Sequence, residues 1–130
     1  MLKKVLHIGV VVKDFEKGIE KFKKLGFDCK EITELKELAV KIAFFPLGDS
    51  SIEVICFMDP EKAKKSIVGT QKGALNHICF EVEDIKSTIQ DFEKNGARLV
   101  EGYPKPGAHG RVAFFYPETT EDVLIEICQV

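Results

Sequence analysis

The chain has 130 residues, a formal net charge of −2, 45% hydrophobic residues and 31% charged residues. A chain of this length buries roughly two-thirds of its unfolded surface, enough to fold as one domain without a disulfide or a metal. The balance excludes a disordered, collagen-like or membrane-embedded protein, and 19 basic residues scattered among 21 acidic ones create no field that would gather nucleic acid.

The first element is a strand from Val5 to Val12. With Met1-Leu2-Lys3-Lys4 ahead of it, this start has the outline of a secretion signal. The apolar run is short, holds His7, and ends at Lys13-Asp14 with no small-residue cleavage site, so it reads as a β-strand. Asp14 then stands where a helix N-cap belongs, and Phe15, Ile19 and Phe22 follow at helical spacing. Gly26 ends that helix as a left-handed C′ residue. Three strands are expected next, near 27–32, 39–45 and 51–57, the last two joined by a turn at Leu47-Gly48-Asp49-Ser50. A lysine-rich segment at about 61–73 reads as a solvated linker.

Beyond the linker the pattern starts again. Leu6-His7-Ile8-Gly9-Val10-Val11-Val12-Lys13-Asp14 resembles Asn76-His77-Ile78-Cys79-Phe80-Glu81-Val82-Glu83-Asp84, with both histidines and both aspartates 70 residues apart. Ile19, Phe22 and Gly26 match Ile89, Phe92 and Gly96, and Ala43-Phe44-Phe45 matches Ala113-Phe114-Phe115, all at the same offset of 70. Strands are accordingly expected at 77–82, 98–100, 111–116 and 123–130, with a helix from Ile85 to Phe92. The chain reads as two tandem βαβββ modules, an α+β protein with a mostly antiparallel sheet. Residues 1–130 form a single domain, with module one at about 1–60 and module two at about 74–130.

The repeat also pairs residues that carry chemistry. His7 and His77 sit mid-strand, and the last strand of each module holds one carboxylate in an apolar run, Glu53 and Glu126. Taken singly, a strand histidine reads as a core residue and a strand glutamate as solvent-facing. Their recurrence at matching positions changes that reading. Two carboxylates facing one cavity repel and lose hydration, at several kcal/mol per ion unless compensated. One divalent cation cancels both charges, and two neutral imidazoles complete a donor set suited to zinc, cobalt, nickel, manganese or iron. The four cysteines, Cys29, Cys56, Cys79 and Cys128, form no C-x-x-C pair and read as small core residues of a reducing compartment, which points to the cytoplasm.

The doubled pattern with His7, Glu53, His77 and Glu126 resembles the vicinal oxygen chelate superfamily, which includes glyoxalase I, extradiol dioxygenases, fosfomycin-resistance proteins and methylmalonyl-CoA epimerases. Within it, Leu75 to Ile85, the loop Gly107-Ala108-His109-Gly110 and Val123-Leu124-Ile125-Glu126 are most similar to the epimerase branch. The resemblance implies a cupped sheet around one metal ion held by His7, Glu53, His77 and Glu126, with Glu126 also an acid/base, and a homodimeric assembly. It implies that the metal chelates the thioester oxygen and carboxylate of an acyl-CoA such as methylmalonyl-CoA, stabilising an enolate while protons leave and return on opposite faces. The Gly107 to Gly110 loop is then expected at the substrate. The chain departs from the branch in two places: Lys41 aligns with the second acid/base glutamate, with Glu37 nearby, and Tyr116 replaces the histidine before Pro117. A glyoxalase I-type lyase would use the same four ligands. A non-enzymatic resistance-type binder would keep an apolar groove without the full set.

Overall fold

β-Branched and aromatic residues dominate the segments that open each repeat, and both become long strands. In the computed structural model, which describes residues 1–130, β1 spans Leu2–Val11 and β5 spans Leu75–Val82. The chain divides into two compact units, His7–Asn76 and Met1–Leu6 with His77–Val130. The division cuts β1 and β5 immediately before their histidines, so each unit begins its own repeat at a histidine.

In the unit His7–Asn76, β1 leads into α1 (Phe15–Lys24), β2 (Glu31–Leu35), β3 (Val40–Leu47), β4 (Ser50–Phe57) and α2 (Pro60–Lys64). The strand order is β2-β3-β4-β1, with β1 and β4 parallel and the other pairs antiparallel. Asp14 caps α1 as expected, its carboxylate accepting from the Lys17 N–H at 3.0 Å. Gly26 follows the helix at φ +105°, a left-handed position that L side chains resist. Leu47 and Ser50 pair across a two-residue turn in which Gly48 has φ +61°.

The strand expected at 27–32 starts later, at Glu31. Phe27 N–H still bonds the helix carbonyl of Phe22, and pairing with β3 begins only when Lys30 N–H reaches the Phe44 carbonyl. Phe27 and Cys29 pack under α1 instead, beside Ile19, Ala43, Phe45 and Val54. The linker differs too: α2 occupies its first turn, capped by Asp59. Gly69 packs so closely that a Cβ there would lie 2.2 Å from the Ala63 carbonyl oxygen, and the Asn76 side chain donates to the Val68 carbonyl at 2.9 Å. Those two contacts fold the segment back onto its own unit.

In the unit Met1–Leu6 with His77–Val130, β5 leads into α3 (Ile85–Lys94), β6 (Lys105–Pro106), β7 (Arg111–Phe115) and β8 (Ile125–Gln129). The order is β1-β5-β8-β7-β6, with the first residues of β1 at one edge. β5 and β8 are parallel, while β6–β7 and β7–β8 are antiparallel, repeating the layout of the first unit. Asp84 caps α3 through the Lys86 N–H at 3.1 Å, and Gly96 follows at φ +99°. The α+β, mostly antiparallel layout read from the sequence is therefore the one adopted.

Residues 98–100 do not form a full strand. Val100 N–H bonds the Phe114 carbonyl of β7 and the Arg98 carbonyl accepts from Tyr116 N–H just beyond it, giving one bridge from Leu99 to Phe115, but Arg98 N–H is taken by the Thr119 hydroxyl. The prolines at 104 and 106 lack N–H groups, and pairing resumes only at Lys105–Pro106. The last strand is shorter than 123–130, because Val123 N–H is held in a turn by the Thr120 carbonyl.

Each unit packs its helix on one face of its strands. Phe45 is fully buried against Ile19 and Val54, and Phe115 against Ile85, Ile89 and Ile127, with Phe92 stacked on Phe115 at 4.8 Å. Burying one such side chain stabilises the fold by about 1.5–3 kcal/mol. Residues alternate along a strand, so the preceding phenylalanines, Phe44 and Phe114, face the opposite side. No helix is long and apolar enough to cross a membrane.

Candidate functional site

The face opposite each helix carries a buried histidine–glutamate pair. In the first unit, the parallel register sets Gly9 directly across from Glu53, with His7 two residues earlier on the same face of β1. The Glu53 Oε2 lies 2.7 Å from Nδ1 of His7. In the other unit, Cys79 stands across from Glu126, and the His77 Nε2 lies 3.1 Å from Oε1 of Glu126. The four residues, expected from the repeat, are 5–7% exposed. A small residue, glycine or cysteine, opposes the glutamate in both cases.

The chemistry of the pairs fits a divalent cation. Each unit buries one carboxylate beside one imidazole, a nitrogen–oxygen donor set, and burial strips the carboxylate of water that would otherwise hold its charge. Borderline divalent ions favour this combination of imidazole and carboxylate. His7 uses Nδ1 towards its glutamate and His77 uses Nε2, so the pairs match in composition and differ in which ring nitrogen faces the carboxylate.

Aromatic rings border both glutamates. Phe44 pairs across the strands with Glu53, and Phe114 with Glu126. Phe114 packs edge to face with His77 at 5.4 Å between centroids and with Tyr103 at 5.2 Å. Burial, and secondarily the negative charge of Glu126, push the Tyr103 phenol up to about 12. Lys105 holds its ammonium 4.7 Å from the centre of the Tyr103 ring. Beyond Glu126 on the same face, Cys79, Val112 and Cys128 form an apolar cluster with Leu6 and Tyr103. The cysteines near the histidine and glutamate of this unit are therefore packing residues, and all four cysteines are free thiols.

The two residues weighed as a second acid/base do not join His7 and Glu53. On β3, Val40, Ile42 and Phe44 share the face of Glu53, whereas Lys41 alternates to the helix side, paired with Cys56. There burial raises the pKa of the Cys56 thiol, which lies 3.7 Å from the Lys13 carbonyl oxygen. Glu37 is exposed in a 3-10 turn, its carbonyl accepting from the Lys62 ammonium at 2.9 Å. The β3 contribution to the Glu53 face is wholly apolar.

The loop Gly107-Ala108-His109-Gly110 joins β6 to β7, closed by a 2.7 Å bond from Gly107 N–H to the Gly110 carbonyl. Its glycines are demanded by packing: a Cβ on Gly110 would lie 2.3 Å from the Gln129 carbonyl oxygen, and one on Gly107 would lie 2.9 Å from Val112. His109 is exposed and Ala108 half-buried. Sequence reasoning missed Tyr103 and Lys105. The Tyr-Pro-Lys-Pro run before the loop was the available signal, but only the β6–β7 register brings Lys105 level with Val112 and so onto the glutamate face.

Known proteins are similar to this chain in sequence and in fold. The mitochondrial methylmalonyl-CoA epimerase of Homo sapiens is 31% identical over 126 residues, covering 95% of this chain and 72% of that protein. The ethylmalonyl-CoA/methylmalonyl-CoA epimerase of Cereibacter sphaeroides is 30% identical over 137 residues and matches along the whole of both chains. A solved methylmalonyl-CoA epimerase in complex with methylmalonyl-CoA and NH4+ shares the fold at a TM-score of 0.85, with 22% identity, over 99% of this chain and 95% of that one. Residues 6–115, which take in both histidines and most of both repeats, match the Glyoxalase/Bleomycin resistance protein/Dioxygenase superfamily, and the chain belongs to that superfamily.

Proposed function

We propose that this protein is a metal-dependent epimerase of acyl-CoA thioesters that carry a carboxylate on the α-carbon, methylmalonyl-CoA being the type substrate. The observation that carries the reading is the pair of buried His–Glu couples, His7 with Glu53 and His77 with Glu126, one in each repeat. Relatives whose similarity spans nearly the whole of this chain are epimerases of methylmalonyl-CoA and ethylmalonyl-CoA, which supports the substrate class.

In this reading His7, Glu53, His77 and Glu126 hold one divalent ion. Such an ion supplies positive charge beside the oxygen on which negative charge develops when an α-proton leaves a thioester. The chain's own groups do the rest. Glu126 accepts or returns the α-proton through its carboxylate, and Phe114 beside it keeps bulk water from that oxygen. On the Glu53 side, Val40, Ile42 and Phe44 offer no titratable group, so a second proton-transfer group comes from outside β3. The Gly107 to Gly110 loop closes on the substrate, with Ala108 and His109 at its tip. The protein works in the cytoplasm as a homodimer, a state that sedimentation equilibrium reads directly.

The deciding experiment follows deuterium from solvent into methylmalonyl-CoA, alongside isomerisation of a methylglyoxal–thiol hemithioacetal, each with and without a chelator. Chelator-sensitive exchange into methylmalonyl-CoA is the expected result. Activity on the hemithioacetal alone would transfer the same site to a glyoxalase I-type lyase, and exchange indifferent to chelator would remove the ion from the reaction.

A further inference from the structure

We infer that Tyr103 and Lys105 form an oxyanion-recognition pair on the His77–Glu126 face, taking a carboxylate or phosphate of the acyl-CoA; this rests on the epimerase reading above. Four observations within this unit converge. Lys105 pairs with Val112 across β6 and β7, and side chains of a cross-strand pair lie on one face. Val112 clusters with Cys79 and Cys128, which flank His77 and Glu126 along their strands on that same face. Lys105 is a half-buried residue whose ammonium ion-pairs with no carboxylate and rests 4.7 Å from the centre of the Tyr103 ring. Tyr103 in turn packs edge to face with Phe114, which packs the same way with His77.

The arrangement has a physical consequence. A lysine that buries its stem and rests its ammonium on an aromatic face is held in place without its charge being neutralised, because a π-face attracts a cation more weakly than a carboxylate does. An incoming anion supplies the missing counter-ion through a charge-assisted hydrogen bond. The ring also limits the rotamers of Lys105, so less side-chain entropy is lost when the anion binds. The phenol of Tyr103, neutral well beyond physiological pH, is a second donor of constant charge. Together they offer one cationic and one neutral donor to an oxyanion.

The test measures binding of methylmalonyl-CoA and of methylmalonyl-pantetheine, which keeps the carboxylate and lacks the phosphates, by calorimetry on the metal-loaded protein. Lys105→Met is expected to weaken binding by about ten- to a hundredfold, the range for a charge-assisted hydrogen bond, and Lys105→Arg to restore most of it. Tyr103→Phe, which keeps the ring under the ammonium, is expected to lose less than Lys105→Met, and Tyr103→Leu to lose as much. Weakening with both thioesters assigns the acyl carboxylate, and weakening with the CoA thioester alone assigns a phosphate. Unchanged binding of both thioesters by Lys105→Met, with a wild-type melting temperature, overturns the inference and leaves the epimerase reading standing. Lys105→Gln repeats the comparison if the Met variant melts early. A wild-type protein that binds neither thioester overturns both.

Discussion

Gly9 lies directly across the parallel β1–β4 pairing from Glu53, whose carboxylate lies 2.7 Å from His7. The second repeat places Cys79 in the same relation to Glu126. Gly9→Cys is therefore expected to keep its metal, since the equivalent position already holds that side chain, whereas Gly9→Phe is expected to lose it. Metal content of the purified variants, read by atomic emission, checks the pair. Full occupancy in Gly9→Phe would show that the reach of Glu53 does not depend on the space opposite it.

His77→Ala removes one imidazole and leaves Glu126 buried without the nitrogen 3.1 Å away. The expected outcomes are loss of retained metal and a stability decrease of about 1–3 kcal/mol, the cost of leaving a buried polar group unpaired. A variant that still carries a full complement of metal after dialysis would refute the ligand assignment.

Glu126→Gln keeps the shape of the side chain and removes its ability to carry a proton. Deuterium incorporation into methylmalonyl-CoA is expected to fall by about 10²- to 10⁴-fold, the usual contribution of a positioned acid/base. Metal content measured on the same sample separates loss of proton transfer from loss of the ion. A Gln variant that is metal-free and inactive leaves Glu126 a ligand without evidence for the second role.

Tyr103 predicts an alkaline effect on stability. Its phenol is raised from the ordinary 10 to about 12, so the folded protein binds that proton more tightly than the unfolded chain does. The resulting stabilisation is fully present below about pH 10 and is lost as pH climbs towards 12. Thermal melts between pH 8 and 12 are expected to fall more steeply for the wild type than for Tyr103→Phe, which has no such proton. Parallel curves would mean that Tyr103 is as solvated in the native state as in the unfolded one.

The adjacent phenylalanines separate packing from site. Phe45→Ala and Phe115→Ala each empty a fully buried position under a helix and are expected to destabilise by about 3–5 kcal/mol in urea melts. Phe114→Leu keeps most of the apolar volume but removes the ring edge against His77 and Tyr103, so its main effect is expected on substrate turnover. A Phe115→Ala variant as stable as wild type would contradict the core assignment.

Much of this protein was legible before any coordinates. Helix caps at Asp14 and Asp84 and stops at Gly26 and Gly96 depend on backbone groups only a few residues away, so local sequence carries them. The histidines and glutamates stood out because the chain repeats, and a repeat turns two ambiguous polar residues into a pattern. The strand expected at 27–32 begins only at Glu31 and that at 98–100 shrinks to the Leu99 bridge, because both depend on partners. Phe27 is held by the end of α1, and Arg98 by a threonine 21 residues further on.

The order of elements, the doubling and the identity of the buried donors are properties of the amino-acid sequence itself, written in spacings of two, three, four and 70 residues. Only the tertiary structure decided that Gly9 opposes Glu53, that Lys41 turns to the helix side, and that Lys105 rests over Tyr103. The reason is register. Which residues meet across two strands is set by hairpin geometry and by which face can be buried, and a shift of one residue would exchange the two faces of every strand involved.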